Sequence, residues 1–265
     1  MKFSIVTISY NQARFLEEAI LSVLNQDGVD VEYIVVDPGS TDGSREIIER
    51  YRDRIARVIF EPDHGPADGL NKGFALATGD VYGYLNSDDV LLPGALDRAR
   101  CWLTHRSDVD VVSAHAYVID EKDKVVQRVF SHKFDVESYA AGCCVLIQQS
   151  TFFRAEWFKK VGGFMIGNAV AWDGELAVDM ALAGAHFTVV PEFWSQFRVY
   201  PASISGSRGY AEKLRREHSR LRDKKGIADC SPWRRRYLRL TNWMRQPLTL
   251  GMRLWDGLVY PDRVL

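Results

Sequence analysis

Short apolar, β-branched runs alternate with amphipathic helical stretches along the first 90 residues, and this alternation limits the fold more than any other feature. Phe3 to Ser9 reads as a buried strand that ends at Tyr10-Asn11-Gln12. Arg14 to Asn25 carries Phe15, Ala19, Ile20, Val23 and Leu24 at helical spacing, with Glu17 and Glu18 in its early turns. Val31 to Val36 is a second strand, closed by Asp37-Pro38-Gly39-Ser40, and a helix follows over Arg45 to Tyr51. Arg57 to Glu61 predicts a third strand, Leu70 to Ala77 a helix, and Val81 to Leu85 a fourth strand. Such an order belongs to an α/β domain with a largely parallel sheet. Beyond Pro93 the spacing predicts a helix over Ala95 to Arg106 and strands over Val109 to Ser113 and Ala116 to Ile119. A turn at Asp120-Glu121-Lys122-Asp123 then leads into Val125 to Phe130.

In sheets of this kind ligands bind outside the carboxyl ends of the strands. Here those ends are unusually polar: Thr7, Ser9 and Asn11 after the first strand, Asp37 after the second. Glu61, Asp63 and His64 follow the third, and Asn86, Asp88 and Asp89 the fourth. One such carboxylate is more often a helix cap or turn former; four polar ends on one edge point to a site. Adjacent Asp88 and Asp89 repel unless a cation joins them. Hard oxygen ligands suit Mg²⁺ or Mn²⁺, held by one or two carboxylates plus substrate phosphates. Gly65-Pro66-Ala67-Asp68-Gly69-Leu70-Asn71-Lys72-Gly73 sets a lysine at a helix head, which favours anionic groups. No GxxxxGK[ST] or GxGxxG is present, which disfavours ATPase and dinucleotide readings.

The same residues build a resemblance. VTISYNQARFLEEAILSVLNQ, VVDPGSTDGS, EPDHGPADGLNKGFALATGD and YLNSDDVLLPGAL resemble the inverting family-2 glycosyltransferases of bacterial polysaccharide and O-antigen assembly. QQSTFFRAEWFKKVGGF and AWDGELAVDMALAGA resemble the acceptor half of that family, so the likeness covers roughly residues 3 to 205. It implies a GT-A fold, a Rossmann-like mixed, largely parallel sheet flanked by helices. It also implies a catalytic domain over 1–205, with a nucleotide-sugar half to about residue 95 and an acceptor half from about 96. By resemblance, Thr7, Ser9 and Asn11 lie at the base and ribose of a nucleotide-sugar, and Asp37 hydrogen-bonds the base. Asp68, Asn71 and Lys72 line the donor pocket. Asn86-Ser87-Asp88 occupies the DxD motif, with Asp88 at the metal position for Mn²⁺ or Mg²⁺ and Asp89 as the fallback. Asn86 departs from that motif, keeping a hydrogen bond to ribose but removing one charge. Asp173, in Trp172-Asp173-Gly174-Glu175-Leu176, aligns with the base that accepts the acceptor's hydroxyl proton, with Glu175 as runner-up. The competing reading of this pair is a helix cap and a dipole-favoured acid. In Phe197-Arg198-Val199-Tyr200 the family's His position is Tyr200, and Gly206-Ser207-Arg208-Gly209 has the composition of a closing loop.

Charge divides the chain further. Residues 1–212 hold 20 Lys/Arg against 30 Asp/Glu, while 213–253 hold 13 against 3. Tyr210 to Lys225 reads as a basic helix; Gly226 and Ser231-Pro232 interrupt it before Trp233 to Arg245, where aromatics mix with arginines. Leu248, Leu250, Met252, Leu254, Trp255 and Leu258 add apolar residues. This basic, aromatic-rich helical extension over 206–265 suits an anionic membrane surface, with a packed subdomain bearing a solvated basic face as the alternative. No nucleic-acid module accompanies it, so nucleic acid is not an expected partner. Cys101, Cys143, Cys144 and Cys230 lack metal spacing and suit reduced thiols, and no run approaches a membrane span. The expectation is a cytoplasmic enzyme, peripheral at the inner face of the plasma membrane, acting on a glycan carried by polyprenyl diphosphate. Two rivals stand beside it. A sugar nucleotidyltransferase needs a glycine-rich basic loop, which Tyr10-Asn11-Gln12-Ala13-Arg14 is not. A non-catalytic scaffold would have no use for both Asp88 and Asp173.

Overall fold

The computed structural model describes residues 1–168, 170–207, 209–244, 249, 251–252 and 256. Its first half is β1 (Lys2–Ile8), α1 (Ala13–Leu24), β2 (Asp30–Val36), α2 (Ser44–Arg50), β3 (Arg57–Ile59), α3 (Pro66–Ala75) and β4 (Val81–Asn86). These elements alternate as the sequence pattern predicts. The α3 helix starts four residues earlier than its apolar spacing suggests, because Pro66 takes the first helical position, where a missing N–H costs nothing.

β5 (Val90–Leu91), α4 (Ala95–His105), β6 (Val111–Ile119), β7 (Val125–Val129), α5 (Val136–Ala140), β8 (Thr151–Arg154), α6 (Ala155–Val161), α7 (Trp172–Leu182) and β9 (Phe187–Arg198) follow. The two strands expected over 109–119 are one. Ala114 and His115 are fully buried, and the His115 ring packs edge-on to Phe130 and Phe193, so nothing polar reaches solvent to break the run. α8 (Tyr210–Lys225) and α9 (Pro232–Met244) complete the chain's described helices. The extension's residues Arg245, Leu248, Leu250, Leu254, Trp255 and Leu258, and Arg208 of the glycine-flanked loop, lie outside the described residues.

One nine-stranded sheet runs β3-β2-β1-β4-β8-β6-β9-β5, with β7 added on β6. β3, β2, β1 and β4 are mutually parallel; β8 is antiparallel to both β4 and β6, and β9 returns parallel to β6. Register brings Ile8 opposite both Val36 and Asn86, and Val36 opposite Ile59, so four strands end level on one edge. Apolar cores cover both faces. Phe3, Ile5, Leu16, Ile20, Tyr33 and Trp194 belong to one, and Val6, Ile34, Leu70, Phe74, Tyr82 and Phe158 to the other. Strands buried on both faces read as continuous apolar runs, which is why these four were legible.

Candidate active site

The level strand ends open onto a cavity of ≈ 600 Å³, lined among others by Ser9, Pro38, Asp63, Asn86, Asp88 and Arg198. Ser9 is almost fully buried, and its Oγ has no hydrogen-bond partner among the described residues. Asp37 sits fully buried behind Pro38. Its Oδ1 accepts from the Gly39 and Ser40 N–H groups (3.1 and 2.8 Å) and from Arg45 Nε (3.2 Å), while its Oδ2 has no partner. Buried polar atoms are normally satisfied, so the Ser9 hydroxyl in the cavity wall is a group prepared for a ligand, whereas Asp37 is not itself a wall residue.

Other residues expected at the donor are held by the protein itself. Thr7 is fully buried and accepts a 3.0 Å bond from the Tyr33 hydroxyl. Asn11, in the left-handed region at φ 52°, accepts from Thr41 N (2.9 Å) and so ties the loop after β1 to the loop after β2. Asp68 accepts from His64 N (2.9 Å) and faces Lys72, whose Nζ donates to the Pro62 carbonyl. Asn71 pins the turn at Phe164 with two 2.9 Å bonds. From this segment the cavity wall takes Pro62, Asp63, Gly65 and Pro66.

After β4 the three polar residues divide their roles. Asp89 is 1% exposed; its Oδ1 accepts from Arg198 N (2.9 Å) and its Oδ2 from Asn86 Nδ2 (3.3 Å). Burial and the neighbouring Asp88 carboxylate push its pKa well above the usual carboxylate range. Neither aspartate caps the next helix, whose N-cap is Gly94. Asp88 faces the cavity, and its Oδ2 accepts a 3.2 Å bond from the Tyr200 hydroxyl. Burial raises the Asp88 pKa, and the tyrosine bond opposes the rise. Asp88 is the half-buried carboxylate after β4 that faces the cavity, and one carboxylate together with substrate phosphates is a donor set that would suit a Mg²⁺ or Mn²⁺ ion. Asp88 would hold it.

Arg198 and Tyr200 carry much of this architecture, and their motif gave no sign of it. Arg198 is fully buried, donating to the Asp88 and Asp120 carbonyls (2.9 and 3.1 Å), to Glu18 Oε2 (2.7 Å) and to Asp123. Its guanidinium lies 4.4 Å from the Phe15 ring centroid. Tyr200 also bonds Gln12 through its hydroxyl; burial and the Asp88 charge push its pKa up to about 12. It is a neutral donor to Asp88.

A second cavity of ≈ 220 Å³ adjoins the first and holds Asp173, Gln148, Gln149 and Tyr210. The two cavities share Asn86, Trp172, Phe197, Ile204 and Ser205 as wall residues. Asp173 lies in the first turn of α7, whose N-cap is Ala171, so the cap reading does not hold for it. Burial lifts its pKa to about 6 against the opposing hydrogen bond from the Gly174 N–H. Gly174 allows this crowding, because a Cβ there would sit 1.5 Å from the Tyr139 hydroxyl. Burial, then the Asp173 charge, raises the Tyr84, Tyr139 and Tyr210 hydroxyls, so neutral phenols surround the carboxylate. Gln149 Nε2 and Trp172 Nε1 are buried donors without partners in the same wall; they lie far apart in sequence, and no local pattern marks them.

Glu175 has a different role. It is 1% exposed and accepts from Asn168 Nδ2 (2.9 Å), Arg220 Nη2 (2.5 Å) and Lys224 Nζ (2.8 Å). Burial disfavours its charge, yet these donors hold its pKa down at about 2. With Lys225 on Asp179, three cations of α8 are spent on α7 rather than on an external partner.

The family model for glycosyl transferase family 2 matches residues 4–162, and that for glycosyl transferase family group 2 matches 84–263. An uncharacterized glycosyltransferase of Nostoc sp. is 42% identical over 132 residues, 48% of this chain and 40% of that protein. The putative teichuronic acid biosynthesis glycosyltransferase TuaG of Bacillus subtilis is 27% identical over 220 residues, 79% of this chain and 84% of its own. A GalNAc(5)-diNAcBac-PP-undecaprenol beta-1,3-glucosyltransferase of Campylobacter jejuni is 30% identical over 136 residues, covering 50% and 43%. The chain thus spans less than half the length of the first and last of these. Among solved structures, S. aureus TarS 1-349 in complex with UDP superposes with TM-score 0.65 at 20% identity, over 93% of this chain and 72% of that one. Pyrobaculum calidifontis mannosyltransferase PcManGT, in complex with GDP-Man and Mn2+, gives 0.63 at 22%, over 91% and 69%. The fold is therefore the GT-A glycosyltransferase fold.

Proposed function

The chain belongs to glycosyl transferase family 2, and from that premise we propose that it is an inverting glycosyltransferase. It moves a sugar from a UDP-sugar to a hydroxyl of a lipid-linked glycan in cell-surface polysaccharide synthesis. One observation carries the reading: Asp88 and Asp173 face two adjoining cavities that share a wall. In-line displacement needs this arrangement, with the leaving diphosphate on one side of the sugar and the attacking hydroxyl with its base on the other.

Ser9 Oγ, a wall group without a partner, would bond the nucleoside, and the partnerless Asp37 Oδ2, next in sequence to the wall residue Pro38, would take the base by the family resemblance; the TarS complex with UDP supports uridine. Asp88 would hold Mn²⁺ or Mg²⁺, which when bound neutralises charge on the departing diphosphate; the PcManGT complex with Mn2+ supports this. Asp173, ionised above about pH 6, accepts the acceptor's hydroxyl proton as the bond to the sugar C1 forms. Phe197, Trp172 and Ile204 at the shared wall keep water from the donor. The lipid-linked acceptor is supported by the undecaprenol-linked glycan for which the Campylobacter glucosyltransferase is named. We place the enzyme at the cytoplasmic face of the plasma membrane, its C-terminal extension against the anionic surface; no helix among the described residues is long and apolar enough to cross it.

The test is a transfer assay with UDP-sugars and a polyprenyl-diphosphate glycan, with the product's anomeric configuration read by NMR. Inversion is expected, with kcat rising through an apparent pKa of about 6. Asp173→Asn should lower kcat by on the order of 10³-fold with donor KM unchanged. Retention of configuration, or full activity in Asp173→Asn, overturns the reading.

A further inference from the structure

Helix α9 is held by one face and leaves an apolar stripe on the other. On the held face Leu238 packs with Ala141, Cys143 and Cys230, and Asn242 Nδ2 donates to the Cys143 carbonyl (2.9 Å). Arg234 makes two 2.7 Å bonds to Glu137 of α5. Opposite, Trp233, Tyr237, Leu240 and Met244 are 79, 55, 52 and 64% exposed. Their spacing of four, three and four residues sets them in one line along the helix, about 16 Å long at 1.5 Å per residue. Arg236 and Arg239, both exposed, follow one edge of that line. The ion pairs of α9 among the described residues are made by their neighbours Arg234 and Arg235.

We propose that this stripe is the docking face for an anionic lipid bilayer. The helix lies in the plane of the interface, with Trp233 and Tyr237 at headgroup depth and Arg236 and Arg239 on lipid phosphates. It deepens the membrane partner proposed above and rests on that reading. Rings with polar tips beside uncommitted arginines match the chemistry of an anionic interface. A second copy fits worse, because antiparallel two-fold pairing of the stripes lays Arg236 and Arg239 beside their own copies. Five cations of α8 are already paired within the fold, Arg220, Lys224 and Lys225 with Glu175 and Asp179, Arg216 with Glu212 and Arg222 with Asp229. The docking face is tied to the site through Glu137 on α5, and Tyr139 of the same helix packs on Gly174 beside Asp173. The bilayer plane is thereby fixed relative to the smaller cavity.

Sedimentation of the full chain with vesicles tests this, comparing phosphatidylcholine alone with vesicles holding about 25 mol% phosphatidylglycerol. Binding to the anionic vesicles alone is expected, weakening as salt rises from about 0.1 M. It should fall about tenfold or more in Trp233→Ser/Leu240→Ser and in Arg236→Gln/Arg239→Gln. Lys213→Gln/Arg215→Gln on α8 should stay within about twofold. UDP binding by each variant reports folding. The proposal is overturned by stripe variants that bind UDP and vesicles like the wild type, by a wild type that ignores anionic vesicles, or by lipid-free dimers that Leu240→Ser dissolves. Vesicle binding without UDP binding would remove the donor reading and leave this one standing; the reverse result would remove this one and the membrane placement it deepens, and leave the donor reading.

Discussion

Asn86 donates to Asp89 Oδ2 at 3.3 Å and to Gln148 Oε1 at 3.1 Å, bonds that a carboxylate could not supply. An aspartate there would complete the acidic motif but would face the buried Asp89 charge directly. Asn86→Asp should therefore destabilise the fold by about 2 kcal/mol at pH 7, less at lower pH as the pair takes up a proton. Urea titrations at pH 7 and pH 5 check this, and an unchanged midpoint at both would refute it. The departure from the motif is in this sense part of the packing. In the sequence only the resemblance set Asp88 ahead of Asp89, with Asp89 as the fallback. They separate only because the backbone N–H of Arg198, more than 100 residues away, takes one Asp89 oxygen.

Among the elements, α7 and α8 act as a unit. Glu175 lies near Asp173 in sequence, yet its carboxylate is held by Arg220 and Lys224 while Asp173 is left to its cavity. Glu175→Ala should cost about 2 kcal/mol and open α8 to proteolysis. The pKa of Glu175 is lowered in the fold, so its contribution is complete above the unfolded value and is lost as pH falls toward about 2. Wild-type α8 should loosen across that acid range, and Glu175→Ala should show no further loss there; limited proteolysis against pH reads both. Equal cleavage of the two proteins at neutral pH would contradict the clamp. The bounds of α8 were legible because Gly209 and Gly226 end it and its polar spacing is helical. β9 was not, because Pro191, Glu192 and Gln196 interrupt its apolar run; pairing with β6 along most of its length makes it a strand.

Across the whole molecule, the parallel half and its polar edge could be read from the sequence because each strand end carries its own local signal. What could not be read is what the fold brings to that edge from elsewhere: Gln149 and Trp172 in the wall, Arg198 beneath Asp88, Tyr200 on its oxygen. Thr7, Asn11, Asp68 and Asn71, expected at the donor, are not wall residues of either cavity and bond protein groups instead, and side-chain pairing is not written in spacing. The extension's charge was legible as a total, whereas its division into cations inside the fold and cations outside it depends on tertiary contacts.

In the proposed enzyme, nucleotide and base chemistry are divided between Asp88 and Asp173 on adjoining cavities. Calorimetric titration of UDP with and without Mn²⁺ into wild type, Asp88→Ala and Asp173→Ala tests it most directly. Metal-dependent UDP binding is expected that Asp88→Ala abolishes and Asp173→Ala keeps. Metal-dependent binding retained in Asp88→Ala, or lost in Asp173→Ala, would contradict it.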